Sequence, residues 1–71
     1  MNFLPVRGSS SIESYGYDLK SGILAVRFHS GREYHYPGVP TEVWKALQAS
    51  TSKGEHFERR VKPAYTGTRV K

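Results

Sequence analysis

The stretch from Ile23 to Tyr36 constrains the fold more than any other part of the chain. Leu24, Val26 and Phe28 stand at every second position, separated by Ala25 and Arg27. After a His29-Ser30-Gly31 break the alternation resumes with Tyr34 and Tyr36 around His35. Period-two alternation of this kind marks half-buried strands. The two strands make a hairpin, and the loop length decides which side chains share a face. A two-residue loop at Ser30-Gly31 sets Val26 across from His35 and turns Tyr34 and Tyr36 away from Leu24, Val26 and Phe28. A three-residue loop, with Gly31 at the positive-φ position, pairs Phe28 with Arg32 and Val26 with Tyr34, and gathers all five apolar side chains together. A chain of 71 residues buries only about 60% of its unfolded surface and needs those rings in its core, so the three-residue loop is expected. Ala25, Arg27, Glu33 and His35 then form the opposite, solvated face.

Ile12 to Tyr17 reads as the preceding strand. Tyr15 and Tyr17 share parity and Ile12 does not; a bulge near Ser14 or Gly16 brings all three to one face. Asp18-Leu19-Lys20-Ser21-Gly22 is turn chemistry. Pro37-Gly38-Val39-Pro40 stops the sheet, and Pro40 suits the first position of a helix. Glu42 follows in the first turn, where the macrodipole favours an acid, and Val43, Trp44 and Leu47 make an apolar stripe. Ser50-Thr51-Ser52 ends that helix. Ser52-Lys53-Gly54-Glu55 has capping-box spacing and starts a second one, with Phe57 and Val61 inward and Glu55 and Arg59 as an exposed pair, until Pro63. The expected fold is α+β: a three-stranded antiparallel meander followed by two short helices packed on one face, β-β-β-α-α. Its expected core is Leu24, Val26, Phe28, Tyr34, Tyr36, Val43, Trp44, Leu47 and Phe57. Residues 1–10, with Pro5, Gly8 and a serine run, are expected as a flexible arm that Phe3, Leu4 and Val6 can dock; 11–63 as the domain; 64–71 as a flexible basic tail.

Lys and Arg number 11 against 6 Asp and Glu, a formal net charge of +5. Such an excess points to nucleic acid, an anionic surface or an acidic protein. All six acids and eight of the bases lie between Ile12 and Lys62, so the body carries only +2, and Arg7, Arg69 and Lys71 carry the rest. A dedicated nucleic-acid surface concentrates its bases on one face; this scatter fits an acidic protein partner somewhat better. The absence of Cys excludes disulfides and thiolate chemistry. No apolar run approaches the roughly 18 residues of a membrane span, and Met1 to Arg7 lacks the apolar segment of a secretory signal. A cytoplasmic monomer is expected, in the host cytoplasm if the chain is phage-encoded.

Catalytic patterns are sparse. His29, His35 and His56 have neither a Cys partner nor zinc-ligand spacing. Ser9-Ser10-Ser11 follows no strand and is not a nucleophile elbow, and it lacks the Lys of a phosphate-binding loop. Asp18 sits in a turn, and no two carboxylates are forced together by spacing. No catalytic, metal or cofactor residue is expected, nor any small-molecule substrate. Tyr34 and Tyr36 are expected under the helices rather than as a base-stacking platform. The expected partner-binding residues are Lys53, Arg59, Arg60 and Lys62 on or near the second helix, Arg27 and His35 on the open sheet face, and Arg7.

Short motifs recur in a telling order: Ser10-Ser11, Gly16-Tyr17-Asp18, Tyr34-His35-Tyr36, Gly38-Val39-Pro40, Trp44, then Ser52-Lys53-Gly54 followed by Phe57. In that order, from about Ser10 to Tyr65, the chain resembles the KTSC domain, a module at the C-terminus of some lysyl-tRNA synthetases that also occurs as small free-standing bacterial and phage proteins. The resemblance bears on fold more than on function, although RNA binding is the usual suggestion for the family. The expected function is a small non-enzymatic binding module, a phage-type regulator that docks on host gene-expression machinery such as RNA polymerase and modulates transcription. The alternative is an RNA-binding module contacting phosphates through its basic helix and tails.

Overall fold

In the computed structural model, which describes residues 2–71, the central hairpin closes through three residues. The Phe28 N–H bonds the Arg32 carbonyl at 2.9 Å, and the Gly31 N–H bonds the Phe28 carbonyl at 2.9 Å. Gly31 takes φ 93°, a conformation that a side chain would strain. Strand β3 (Ile23–Phe28) and strand β4 (Glu33–Tyr36) therefore pair Leu24 with Tyr36 and Val26 with Tyr34. Strand β2 (Ile12–Asp18) pairs on the other side of β3, and its register shifts between Ile12 and Ser14. Glu13 is the extra residue. Ile12, Tyr15 and Tyr17 consequently stand opposite Phe28, Val26 and Leu24 on one face, as a bulge requires.

Two further strands complete a sheet of five among the described residues, in sequential order and antiparallel throughout. This corrects the expected three. Strand β1 (Leu4–Pro5) pairs with β2, and strand β5 (Thr68–Arg69) pairs with β4. Parts of the segments expected as flexible arm, 1–10, and flexible tail, 64–71, are thus laid along the two sheet edges as β1 and β5. The reasons are local. Pro5 has no N–H, which an edge strand tolerates, and beyond it the Val6 N–H bonds the Glu13 carbonyl at 2.9 Å while the Val6 side chain is buried. At the other end Gly67 lies so close to Tyr36 that a β-carbon there would overlap the ring. Glu33 then exchanges backbone bonds with the tail, its N–H to the Lys71 carbonyl at 3.1 Å and its carbonyl to the Val70 N–H at 2.8 Å.

Both helices lie on the face that carries Leu24, Val26 and Tyr36. Helix α1 (Thr41–Ala49) starts one residue later than expected, because Pro40 holds extended backbone and caps it. The Pro40 carbonyl still accepts the Val43 and Trp44 N–H groups. Trp44 stacks on Tyr17 at 5.4 Å between ring centres and meets Tyr15 edge-on at 4.8 Å. The Tyr17 hydroxyl donates to the Val39 carbonyl, fixing the connection ahead of α1. Helix α2 (Lys53–His56) continues as a π-helical stretch, Phe57–Val61, in which the Lys62 N–H reaches back to the Phe57 carbonyl at 2.9 Å. The expected capping box does not form. Ser52 makes no side-chain cap, because the Ser50 hydroxyl closes this turn, accepting the Ser52 N–H and donating to the Ser52 carbonyl, both at 3.2 Å.

Leu24, Val26, Leu47, Phe57 and Val61 are fully buried, and Tyr36 is 4% exposed. Phe57 sits edge-on to Phe28 at 6.0 Å and to Tyr36 at 5.4 Å. Phe28, Tyr34, Val43 and Trp44 are partly buried and pack against this cluster. The core is wider than the nine residues expected, since Val6, Ile12, Tyr15 and Val39 are also buried.

Candidate functional site

The seven expected partner-binding residues fall on two separate faces. Arg27 and His35 stand across the sheet from the helices. Arg7 and the four bases of the α2 region stand on the helical side, around a cleft and along an exposed ridge.

On the open face, Glu33 is the centre. Arg27 Nε donates to one of its oxygens at 2.8 Å, and His35 Nε2 contacts the other at 2.9 Å. The Glu33 side chain is only 12% exposed, against 44% for Arg27 and 33% for His35. The Arg27 hydrogen bond, followed by that from His35, holds the Glu33 carboxyl below the ordinary glutamate range. This face was expected to be solvated. Instead Ala25 and Glu33 are buried: Ala25 is a short side chain between its cross-strand neighbours Gly16 and His35, and Glu33 is flanked by the tail. Two of the expected partner-binding groups are therefore engaged within the molecule, with donors directed at their own glutamate.

On the helical side, residues 7–11 face residues 51–55, Glu58 and Arg59 across a cleft of about 470 Å³. The loop wall is pinned from behind. The His29 N–H bonds the Ser11 carbonyl at 2.9 Å, and the His29 ring contacts the Ser9 carbonyl at 3.1 Å. Lys53 is oriented by a bond from Nζ to the Ser50 carbonyl at 2.9 Å. Arg59 and Lys62 make loose pairs with Glu55 and Glu58, at 3.9 and 3.4 Å, exposed pairs of the sort that contribute little. Arg7 and Arg60 make no ion pair among the described residues. Arg60 and His56 instead border a shallower groove of about 440 Å³ floored by Val43 and Ala46 of α1.

The sequence reading missed Ser9, Ser10, Ser11 and Gly54 as parts of one place. Their signal lay in the short motifs: Ser10-Ser11 and Ser52-Lys53-Gly54, far apart in the chain, meet across this cleft. Tyr34 and Tyr36, by contrast, lie with the core on the helical face. His29 holds the loop, His35 contacts Glu33 and His56 lies in the groove; no three metal-ligating side chains converge among the described residues.

With this geometry in view, the sequence model of the KTSC domain matches residues 8–65. The chain belongs to the KTSC family. It is 47% identical over 57 residues to an uncharacterized protein of Stutzerimonas stutzeri, covering 80% of each chain. It is 46% identical over 57 residues to a protein of Tsukamurella paurometabola, covering 80% of this chain and 85% of that one. It is also 38% identical over 53 residues to the lysine–tRNA ligase of Nostoc punctiforme, where the match takes in 75% of this chain and only 9% of the ligase. Among solved structures, the crystal structure of a KTSC domain protein from Yersinia pestis superposes with a TM-score of 0.90 at 30% identity, covering 99% of this chain and 97% of the other. Among the described residues no helix is long and apolar enough to cross a membrane.

Proposed function

We propose that this member of the KTSC family is a non-enzymatic docking module for an acidic surface on a protein of the transcription or translation machinery. RNA polymerase is the proposed target, the host's if the chain is phage-encoded, with transcription modulated by the contact. The observation that carries the reading is the exposed cationic ridge Arg59, Arg60 and Lys62. Its cationic groups are either unpaired among the described residues, as for Arg60, or held only loosely by Glu55 and Glu58. Between Lys53 and Lys62 four bases stand against two acids, enough to steer an encounter without the charge density of a nucleic-acid surface. The open sheet face supports this reading by default. Among the described residues its rings are Phe3, already under Arg27, and His35, held against Glu33, which leaves little platform for stacked bases.

RNA remains a second reading because of one observation, the kinship with a stretch of lysine–tRNA ligase. In that case Arg7, Lys53 and the ridge contact phosphates, and affinity falls steeply with salt.

Capture from lysate with a tagged chain, with and without nuclease, separates the two. The docking reading expects polymerase or translation proteins retained after nuclease and released by the double variant Arg59→Glu/Arg60→Glu. Loss of all bound material on nuclease treatment would transfer the function to RNA. Capture that ignores the charge reversal would remove the ridge from the interface.

A further inference from the structure

The cleft between residues 7–11 and residues 51–59 has a construction that the docking reading does not use. Its two walls touch. A β-carbon on Gly54 would lie 2.6 Å from Ser9 Oγ and 3.8 Å from Ser11 Oγ, so a side chain there would have to displace the Ser9 hydroxyl. The hydroxyls behind that contact can be followed one by one. Ser9 Oγ accepts the Ser11 N–H at 3.3 Å and the Ile12 N–H at 3.0 Å. A hydroxyl has two lone pairs and one proton, so Ser9 is filled as an acceptor and has only its proton to give. Ser11 Oγ, at 3.5 Å, is the acceptor within reach. The Ser11 proton is then unclaimed, and the Ser10 and Thr51 hydroxyls have no partner among the described residues.

The charges show the same imbalance. Arg7 is in no ion pair among the described residues, and the Lys53 ammonium spends one of its three donors on Ser50. The two carboxylates of the helical wall are each turned to a cation, Glu55 to Arg59 and Glu58 to Lys62. The cleft lining thus sets three cations, Arg7, Lys53 and Arg59, and the exposed serine and threonine hydroxyls against two carboxylates, Glu55 and Glu58. A ligand that answers this has several terminal oxygens and more than one negative charge. A carboxylate brings two oxygens and one charge. A phosphomonoester brings three oxygens and about −1.5 to −2 at neutral pH.

We propose that the cleft between Ser9–Ser11 and Ser52–Gly54 binds a phosphomonoester, with Arg7 and Lys53 as its charge partners and the serine-loop hydroxyls as its neutral donors. The proposal stands apart from the docking reading, because it needs neither Arg60 nor Lys62 nor a protein partner.

The test is an amide NMR titration of the whole chain with inorganic phosphate and, separately, with O-phosphoserine, each against chloride at equal ionic strength. The expected result is a saturable set of shifts at Gly8–Ser11 and Thr51–Gly54. Affinity should drop about tenfold in Arg7→Gln and again in Lys53→Gln, the loss of one charge-assisted bond each. Equal affinity for both probes supports the site as one for free phosphate, and tighter binding of phosphoserine supports it as one for a modified side chain. Shifts that also appear with chloride, that spread to Lys20, Arg32 and Lys45, or that survive the double variant would overturn it. Arg7 is exposed and Lys53 is half-buried outside the hydrophobic cluster, and the unshifted part of each variant's spectrum certifies its fold.

Discussion

The guanidinium carbon of Arg27 lies 3.7 Å from the ring centre of Phe3, which ties a residue ahead of β1 to a strand two places away in the sheet. The same guanidinium bonds Glu33, so the ring shields one side of an ion pair. Phe3→Ala is expected to destabilise the fold by about 1 kcal/mol, the value of an exposed cation–π contact. In a domain of this size that lowers Tm by about 4–8 °C, and Phe3→Tyr should restore most of it. A thermal melt that does not move in Phe3→Ala would show that the contact holds nothing in place.

Glu33 makes stability depend on pH in a definite direction. The Arg27 hydrogen bond first and the His35 contact second hold its carboxyl below the ordinary glutamate range. A carboxylate depressed in the folded state contributes fully above its unfolded value, and that contribution is lost as pH falls through the folded one. Urea midpoints should therefore be steady near neutrality and fall from about pH 5 downward. Glu33→Gln should flatten part of that slope. Asp18 should account for another part, since Ser21 and then the Lys20 backbone depress its carboxyl too. A slope unchanged in Glu33→Gln would place the acid sensitivity elsewhere.

Phe57 joins the π-helical stretch to the sheet, edge-on to both Phe28 and Tyr36. Phe57→Ala should cost about 3–5 kcal/mol. Against a total of about 5–15 kcal/mol for a whole domain, that leaves the variant close to its unfolding threshold at room temperature. Phe57→Leu, which keeps most of the buried volume, should recover most of that loss. Far-ultraviolet circular dichroism under urea reads both, and a small shift for the alanine would mean that the site collapses around the gap.

Gly67 faces the Tyr36 ring with no space for a methyl group. Gly67→Ala is expected to lift β5 away from β4 at about 1–3 kcal/mol, the usual range for overpacking. Amide hydrogen exchange at Glu33 reports it directly, because that N–H is bonded to the Lys71 carbonyl. Faster exchange at Glu33 with little change in the β2–β3 amides is the expected pattern. Uniform acceleration would mean that β5 and the rest of the sheet open together.

What could be read ahead of the structure followed a simple physical division. The three-residue turn at His29-Ser30-Gly31 was legible because only that loop puts Tyr34 and Tyr36 with Leu24, Val26 and Phe28. The bulge was legible because Ile12 stood out of parity with Tyr15 and Tyr17. Both are short-range decisions made by alternation. Strands β1 and β5 were not legible. Two residues have no period, and what places them is Gly67 against Tyr36 and Val6 in the core, contacts far apart in sequence. The π-helical turn at Phe57 was equally silent, since Phe57 and Val61 four apart suit an α-helix as well. The bases of the candidate surface were visible from charge alone. The cleft was not, because nothing in Ser9-Ser10-Ser11 or in Ser52-Lys53-Gly54 by itself says that the two meet.

The placement of β1 and β5 on the two outer edges of the sheet has a bearing on solubility. Without residues 64–71, β4 would become the outermost strand, and the Glu33 N–H and carbonyl that now bond Lys71 and Val70 would be left open to any passing strand. Bare edges of this kind recruit copies of their own chain. Strands β1 and β5 act as stoppers, and a variant lacking β5 should be recognisable by association that grows with concentration.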